Sequence, residues 1–200
     1  MRFFKENSES IIKLIINQIG IAIFAFFLYT AAGAIKSEVG GASLLINVLI
    51  SVFSILFYFV LIYNVMWEIG AKDKIRIDGK RMERKPEKGI LMGIYANIPN
   101  FIIMGIALLL ILLYILTGAE VLKTIFGVLN AIFRIFVSMY LGALMGISAP
   151  FGVGTDIYYL VQTVGFIVFS LVSALVIHIS YLMGLNDLRI FKTSKPPKNP

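Results

Sequence analysis

Four stretches of this chain are long, apolar and nearly free of charge: Ile11 to Ala31, Ser43 to Trp67, Ile98 to Thr117 and Ile157 to Met183. About 20 such residues cross the hydrocarbon of a bilayer as a helix. There every backbone N–H and C=O must be satisfied within its own segment. Composition agrees: 59% of the residues are hydrophobic and 14% charged, with mean hydropathy +0.91. A soluble domain averages roughly 45–50% apolar and about 25% charged. The expected fold class is an all-α integral membrane protein, a polytopic helical bundle. Residues 1–184 form one transmembrane domain, and 185–200 a disordered basic tail rich in Pro and Lys.

Ala32-Gly33-Ala34 has the small-x-small form of a signal-peptide cleavage site, but Glu6 and Glu9 occupy what should be a basic leader. The first apolar stretch is therefore expected to stay as a span, opening after a cap at Ser8. Orientation follows the lysine and arginine bias. Arg2, Lys5 and Lys13 precede or open the first span, eight cations lie between Glu68 and Gly89, and four follow Met183. These fifteen of the 18 basic residues place both ends and the 68–89 loop in the cytoplasm. The expected location is a plasma membrane, bacterial by its short loops.

Both ends on one side require an even number of crossings, yet a fifth apolar segment runs from 121 to 146. At about 100° per residue, Lys123, Thr124, Asn130, Arg134 and Ser138 share one face. A lipid-facing Arg134 in mid-span would cost about 2.5–3.5 kcal/mol. The expectation is four full spans plus one amphipathic or re-entrant helix on the outer side. Five spans with an external tail are the alternative.

The basic loop 68–89 carries Asp78-Gly79 between alternating residues, Lys74 to Met82. That pattern predicts a short cytoplasmic β-hairpin, since Asp-Gly suits a turn with positive φ at both positions. Lys74, Arg76, Lys80, Arg81, Arg84 and Lys85 are the candidate surface for a protein partner or anionic lipid headgroups, with acidic residues interleaved.

The residue inventory narrows the chemistry. Without cysteine and with a single histidine there is no disulfide, thiolate nucleophile or multi-histidine metal site. No phosphate-binding loop, zinc-protease helix or dinucleotide fingerprint occurs. Ser148 and His178 lie toward opposite ends of the last span, about 30 Å apart at 1.5 Å per residue, too far for a catalytic dyad. No catalytic residue, cofactor or metal is expected, and the charge is assigned to lipid rather than nucleic acid. Two groups of polar residues stand out within lipid depth. Arg134, Asn130 and Lys123 form one candidate polar groove, and Asn47, Ser51 and Ser54 share a face of the second span, where interhelical hydrogen bonds are the ordinary use. The functional expectation is a non-catalytic subunit, scaffold or regulator acting through the cytoplasmic loop, with a protein partner or a second copy. A small transporter, or the membrane subunit of one, is the alternative.

Overall fold

A computed structural model describes residues 2–36 and 43–190. Among them are six α-helices: α1 (Arg2–Lys36), α2 (Ser43–Asp78), α3 (Lys88–Thr117), α4 (Glu120–Phe136), α5 (Ser138–Ser148) and α6 (Asp156–Leu185). One 3-10 turn, Ala149–Phe151, follows α5. α1, α2, α3 and α6 are each long and apolar enough to cross a bilayer.

α6 is the hub of the bundle. It runs parallel to α2, where Tyr58 meets Ser173 and Gly184 meets the Trp67 carbonyl. It runs antiparallel to α3, where Gly89 abuts Tyr181 and Gly93 abuts Ala174. Glycine permits this approach because a Cβ at Gly70, Gly93 or Gly184 would run into the facing backbone. The buried face of α6 carries Gln162, Thr163, Ser170, Ser173 and Ser180, while Val164, Val168, Leu171, Leu175 and Ile179 point outward. The inward polar residues sit among large buried side chains, Phe166, Ile177, Tyr181 and Leu185, so both faces of α6 are apolar and the polar groups are the ones turned inward, as expected where the surroundings are as apolar as leucine.

α4 and α5 are bent by 119° at Val137. α5 runs antiparallel to α6, with Tyr140 stacked on Phe169 and Ser148 bonded to Gln162. α4 starts where α3 ends and α5 stops where α6 begins. Since α3 and α6 are antiparallel, both ends of the 120–155 segment lie at one end of the bundle. The segment dips in and returns without traversing it. At its apex Ser138 donates to the carbonyls of Ala22 and Ile135. The expected single amphipathic segment 121–146 is thus two helices with a buried corner.

The structure corrects the expected β-hairpin. Lys74 to Asp78 are helical, the last turn of a 36-residue α2, and no strand occurs among the described residues. The Lys80 N–H bonds to the Ile77 carbonyl, the Arg81 N–H bonds to the Arg76 carbonyl, and Lys80 has φ 55°. This is a Schellman termination of the helix, so the Asp78-Gly79 pair ends α2 rather than turning a hairpin. The expected 68–89 loop shrinks to 79–87. α3 opens at Lys88, ten residues earlier than expected, which leaves Pro99 inside the helix. α1 is already helical before Ser8, so that residue is no cap. The first residues of the expected disordered tail are anchored. Asp187 has φ 56°, Leu188 donates to the Met183 carbonyl, and the Trp67 indole donates to the Leu188 carbonyl at 2.7 Å. Residues 191–200, the rest of that tail, lie outside the described residues.

Candidate functional site

The polar face of α4 closes over a groove of about 320 Å³ at the end of the bundle where α3 stops and α6 starts. Lys123, Asn130 and Arg134 come from α4, Ile111 from α3, and Asp156 and Tyr159 from α6. The three residues singled out in the sequence are therefore brought together. The helical spacing that aligned them now faces a wall supplied by α6, and Phe126 and Phe133 of α4 are buried. The Tyr159 ring is held edge-on to Phe126, centroids 5.8 Å apart.

The two cations differ in state. Lys123 Nζ donates to the Tyr114 hydroxyl at 3.0 Å and lies 5.0 Å from that ring's centroid. Asp156 and Glu120 are its nearest acidic neighbours. Arg134 has no ion pair among the described residues, and its Nε is sealed from solvent without a hydrogen-bond partner. A buried donor left unmade costs about 1–3 kcal/mol, more when it is charged. The site is therefore a groove lined by two cations and the Asp156 carboxylate, with the Arg134 Nε unpartnered and a neutral amide and a phenol beside it.

Asn47, Ser51 and Ser54 are not in that groove. They lie buried in the interior. Tyr29 and Ser51 share a 2.6 Å hydrogen bond, and the Gly142 N–H donates to both hydroxyls, at 2.9 and 2.8 Å. The Tyr29 hydroxyl also reaches the Asn47 carbonyl at 3.2 Å. Ser54 Oγ has no partner. This face of α2 binds α1 and α5 together and is structural.

At the opposite end, the basic candidates ride on the end of α2 and the 79–87 turn. Arg76, Lys80, Arg81, Arg84 and Lys85 are exposed, and Lys74 is half-buried. The feature beneath them was missed in the sequence. Asp73 is 2% exposed, accepts from Lys88 Nζ at 2.7 Å and from the Tyr181 hydroxyl at 3.1 Å, and has Arg76 at 3.7 Å. It ties α2, α3 and α6 into one unit. Its signal was the reach from Lys88 to Asp73, which only the closed turn reveals. Arg84 donates to Asn186 at 2.8 Å, and Arg189 stacks on Trp67 at 4.5 Å. The Lys72 ammonium, 2.7 Å from Glu68, holds that carboxyl below its ordinary range.

Ser148 donates to the Leu144 carbonyl and accepts from Gln162 at 3.2 Å. His178 is sixteen residues beyond Gln162 on α6, about 24 Å at 1.5 Å per residue. No group of three metal-ligating side chains occurs among the described residues.

No protein-family model matches the chain, and no curated protein or solved structure matches it.

Proposed function

We propose that the protein crosses the bilayer four times, with the α2–α3 turn and the N-terminal and C-terminal segments in the cytoplasm. In this reading it is a non-catalytic subunit, scaffold or regulator of a bacterial plasma membrane, working through its cytoplasmic end on a protein partner or a second copy. The observation that carries the reading is the braced basic platform. Lys80, Arg81, Arg84 and Lys85 project from a turn held by the Asp73–Lys88–Tyr181 node and by the Arg84–Asn186 bond. A preorganised charged surface loses little entropy on docking, and anionic headgroups around it add roughly 1 kcal/mol per cation.

The test compares wild type with a K74Q/K80Q/R81Q/K85Q variant, which leaves Arg84 and Lys88 in place. Both are cross-linked in their own membranes, purified in mild detergent and analysed for stoichiometric companions. The expected outcome is one companion in wild type, recovered at least tenfold less with the variant. Equal recovery, or none with either protein, overturns the reading.

The α4 groove favours a second reading, a small transporter or the membrane subunit of one. A small solute that stabilises the partner-free protein against heat, with the stabilisation lost in Arg134→Gln, would support it.

A further inference from the structure

We infer that the groove beneath α4 is a binding site for the phosphate of a lipid headgroup, with Arg134 as its receptor. The charge balance is the starting point. Lys123 has Asp156 and Glu120 close by and a phenol as its hydrogen-bond acceptor. Arg134 has no carboxylate within ion-pair distance among the described residues, and its Nε is closed off from solvent. A guanidinium in that state attracts an anion, and its planar fork suits phosphate oxygens. Asn130 on the preceding turn of α4 and Tyr159 across the groove line the same cavity. Both carry neutral donors for the remaining oxygens.

The surroundings select an amphiphile. The groove of about 320 Å³ is at the lower limit of the roughly 300–1,000 Å³ common to ligand pockets, enough for a headgroup and not for a whole lipid. The outward face of α4 exposes Val121, Ile125, Val128, Ile132 and Ile135. α4 thus offers a polar face to a headgroup and an apolar one to acyl chains. A plain snorkelling arginine would hold its head in open water or among bulk headgroups. Here the inner edge of the head, Nε, is shut off from solvent in a groove whose far wall is Ile111 of α3 with Asp156 and Tyr159 of α6.

The inference rests on the bilayer placement proposed above and on neither functional reading. Carbonate washing of the native membranes tests that placement separately: release of the protein would remove it. The inference itself is tested with the full chain in detergent, using native mass spectrometry and thermal melts. The probes are phosphatidylglycerol, diacylglycerol and soluble glycerol 1-phosphate. The variants are Arg134→Gln and, as a control for general polybasic attraction, K5Q/K13Q, two exposed cations of α1. The expected result is retention of one phosphatidylglycerol and a rise in Tm that diacylglycerol does not give. Retention should fall at least fivefold in Arg134→Gln and persist in K5Q/K13Q. The same stabilisation by glycerol 1-phosphate, again lost in Arg134→Gln, would keep the phosphate site and replace the lipid by a soluble anion. Equal retention by wild type and Arg134→Gln overturns the inference. So does wild type that fails to distinguish phosphatidylglycerol from diacylglycerol, a comparison that stands even where Arg134→Gln does not fold.

Discussion

Gly142 has no room for a side chain, because a Cβ there would collide with the Asn47 carbonyl and the Tyr29 hydroxyl. Its N–H is also the donor shared by Tyr29 and Ser51. Gly105 of α3 has no atom within 4 Å of the same construction. Gly142→Ala should therefore destabilise the protein by about 1–3 kcal/mol through overpacking. Gly105→Ala should be neutral or stabilising by up to about 1 kcal/mol through helix propensity. Melts in detergent would show the pair separating, and equal Tm values would mean that α5 does not press on α2 as described. The Gly142-x-x-x-Gly146 spacing and the polar stripe of Asn47, Ser51 and Ser54 were both visible in the sequence. Their mutual contact was not, because it joins residues 91 positions apart, and Tyr29 adds its hydroxyl to it from a third helix. A tyrosine in an apolar run reads as one more aromatic until its partner is known.

At the scale of the element, α2 is the informative case. Its 36 residues extend about 54 Å at 1.5 Å per residue, well beyond a hydrocarbon core of about 30 Å. The surplus forms the basic platform. Asp78-Gly79 was misread because the same pair serves both a hairpin turn and a helix end. What separates the two is whether the preceding residues can bury a helical face. They can: Asp73 finds Lys88 and Tyr181, and Gly70 lets Tyr181 and Leu185 come close. The left-handed position of the cap is Lys80, where a Cβ is unfavourable by roughly 1–2 kcal/mol. Lys80→Gly should consequently raise stability by about 1 kcal/mol, offset in part by the freedom glycine adds to the unfolded chain. Lys74→Pro should lower stability by about 3 kcal/mol through loss of a helical hydrogen bond and a ring clash. Calorimetric or CD melts read both, and a Lys74→Pro protein as stable as wild type would restore the hairpin.

For the whole molecule, the arrangement of polarity carries the argument. Large aliphatic residues cover the outside of α1, α2, α3 and α6, while the buried seams combine apolar side chains with serine and tyrosine hydroxyls and the Gln18 and Gln162 amides. The 120–155 segment begins and ends at the same end of the bundle, which leaves the four long helices as the candidate spans. A chain without cysteine lets this be read directly. Single cysteines at Lys80 and Leu188 should react with an impermeant maleimide only after the cytoplasmic side is opened. One at Val153, 77% exposed in the α5–α6 connection, should react in intact cells. Labelling of Val153 and Lys80 from the same side would rule out the four-crossing arrangement.

The sequence alone determined the helical class and the four long apolar helices, and it set the basic character of the end of α2 and the 79–87 turn. Hydrophobic length and charge act locally along the chain and need no partner. The polar face of α4 was equally legible, because helical periodicity is a property of one segment. Only the tertiary structure decided where α4 ends and what its face meets. The corner at Val137 contains neither proline nor glycine, and it is held by Ser138 reaching the Ala22 carbonyl of α1. The groove exists because Asp156 and Tyr159 of α6 arrive opposite Arg134. Those contacts join residues far apart in the chain, and their geometry is set by how closely the glycines of α2, α3, α5 and α6 let neighbouring helices approach.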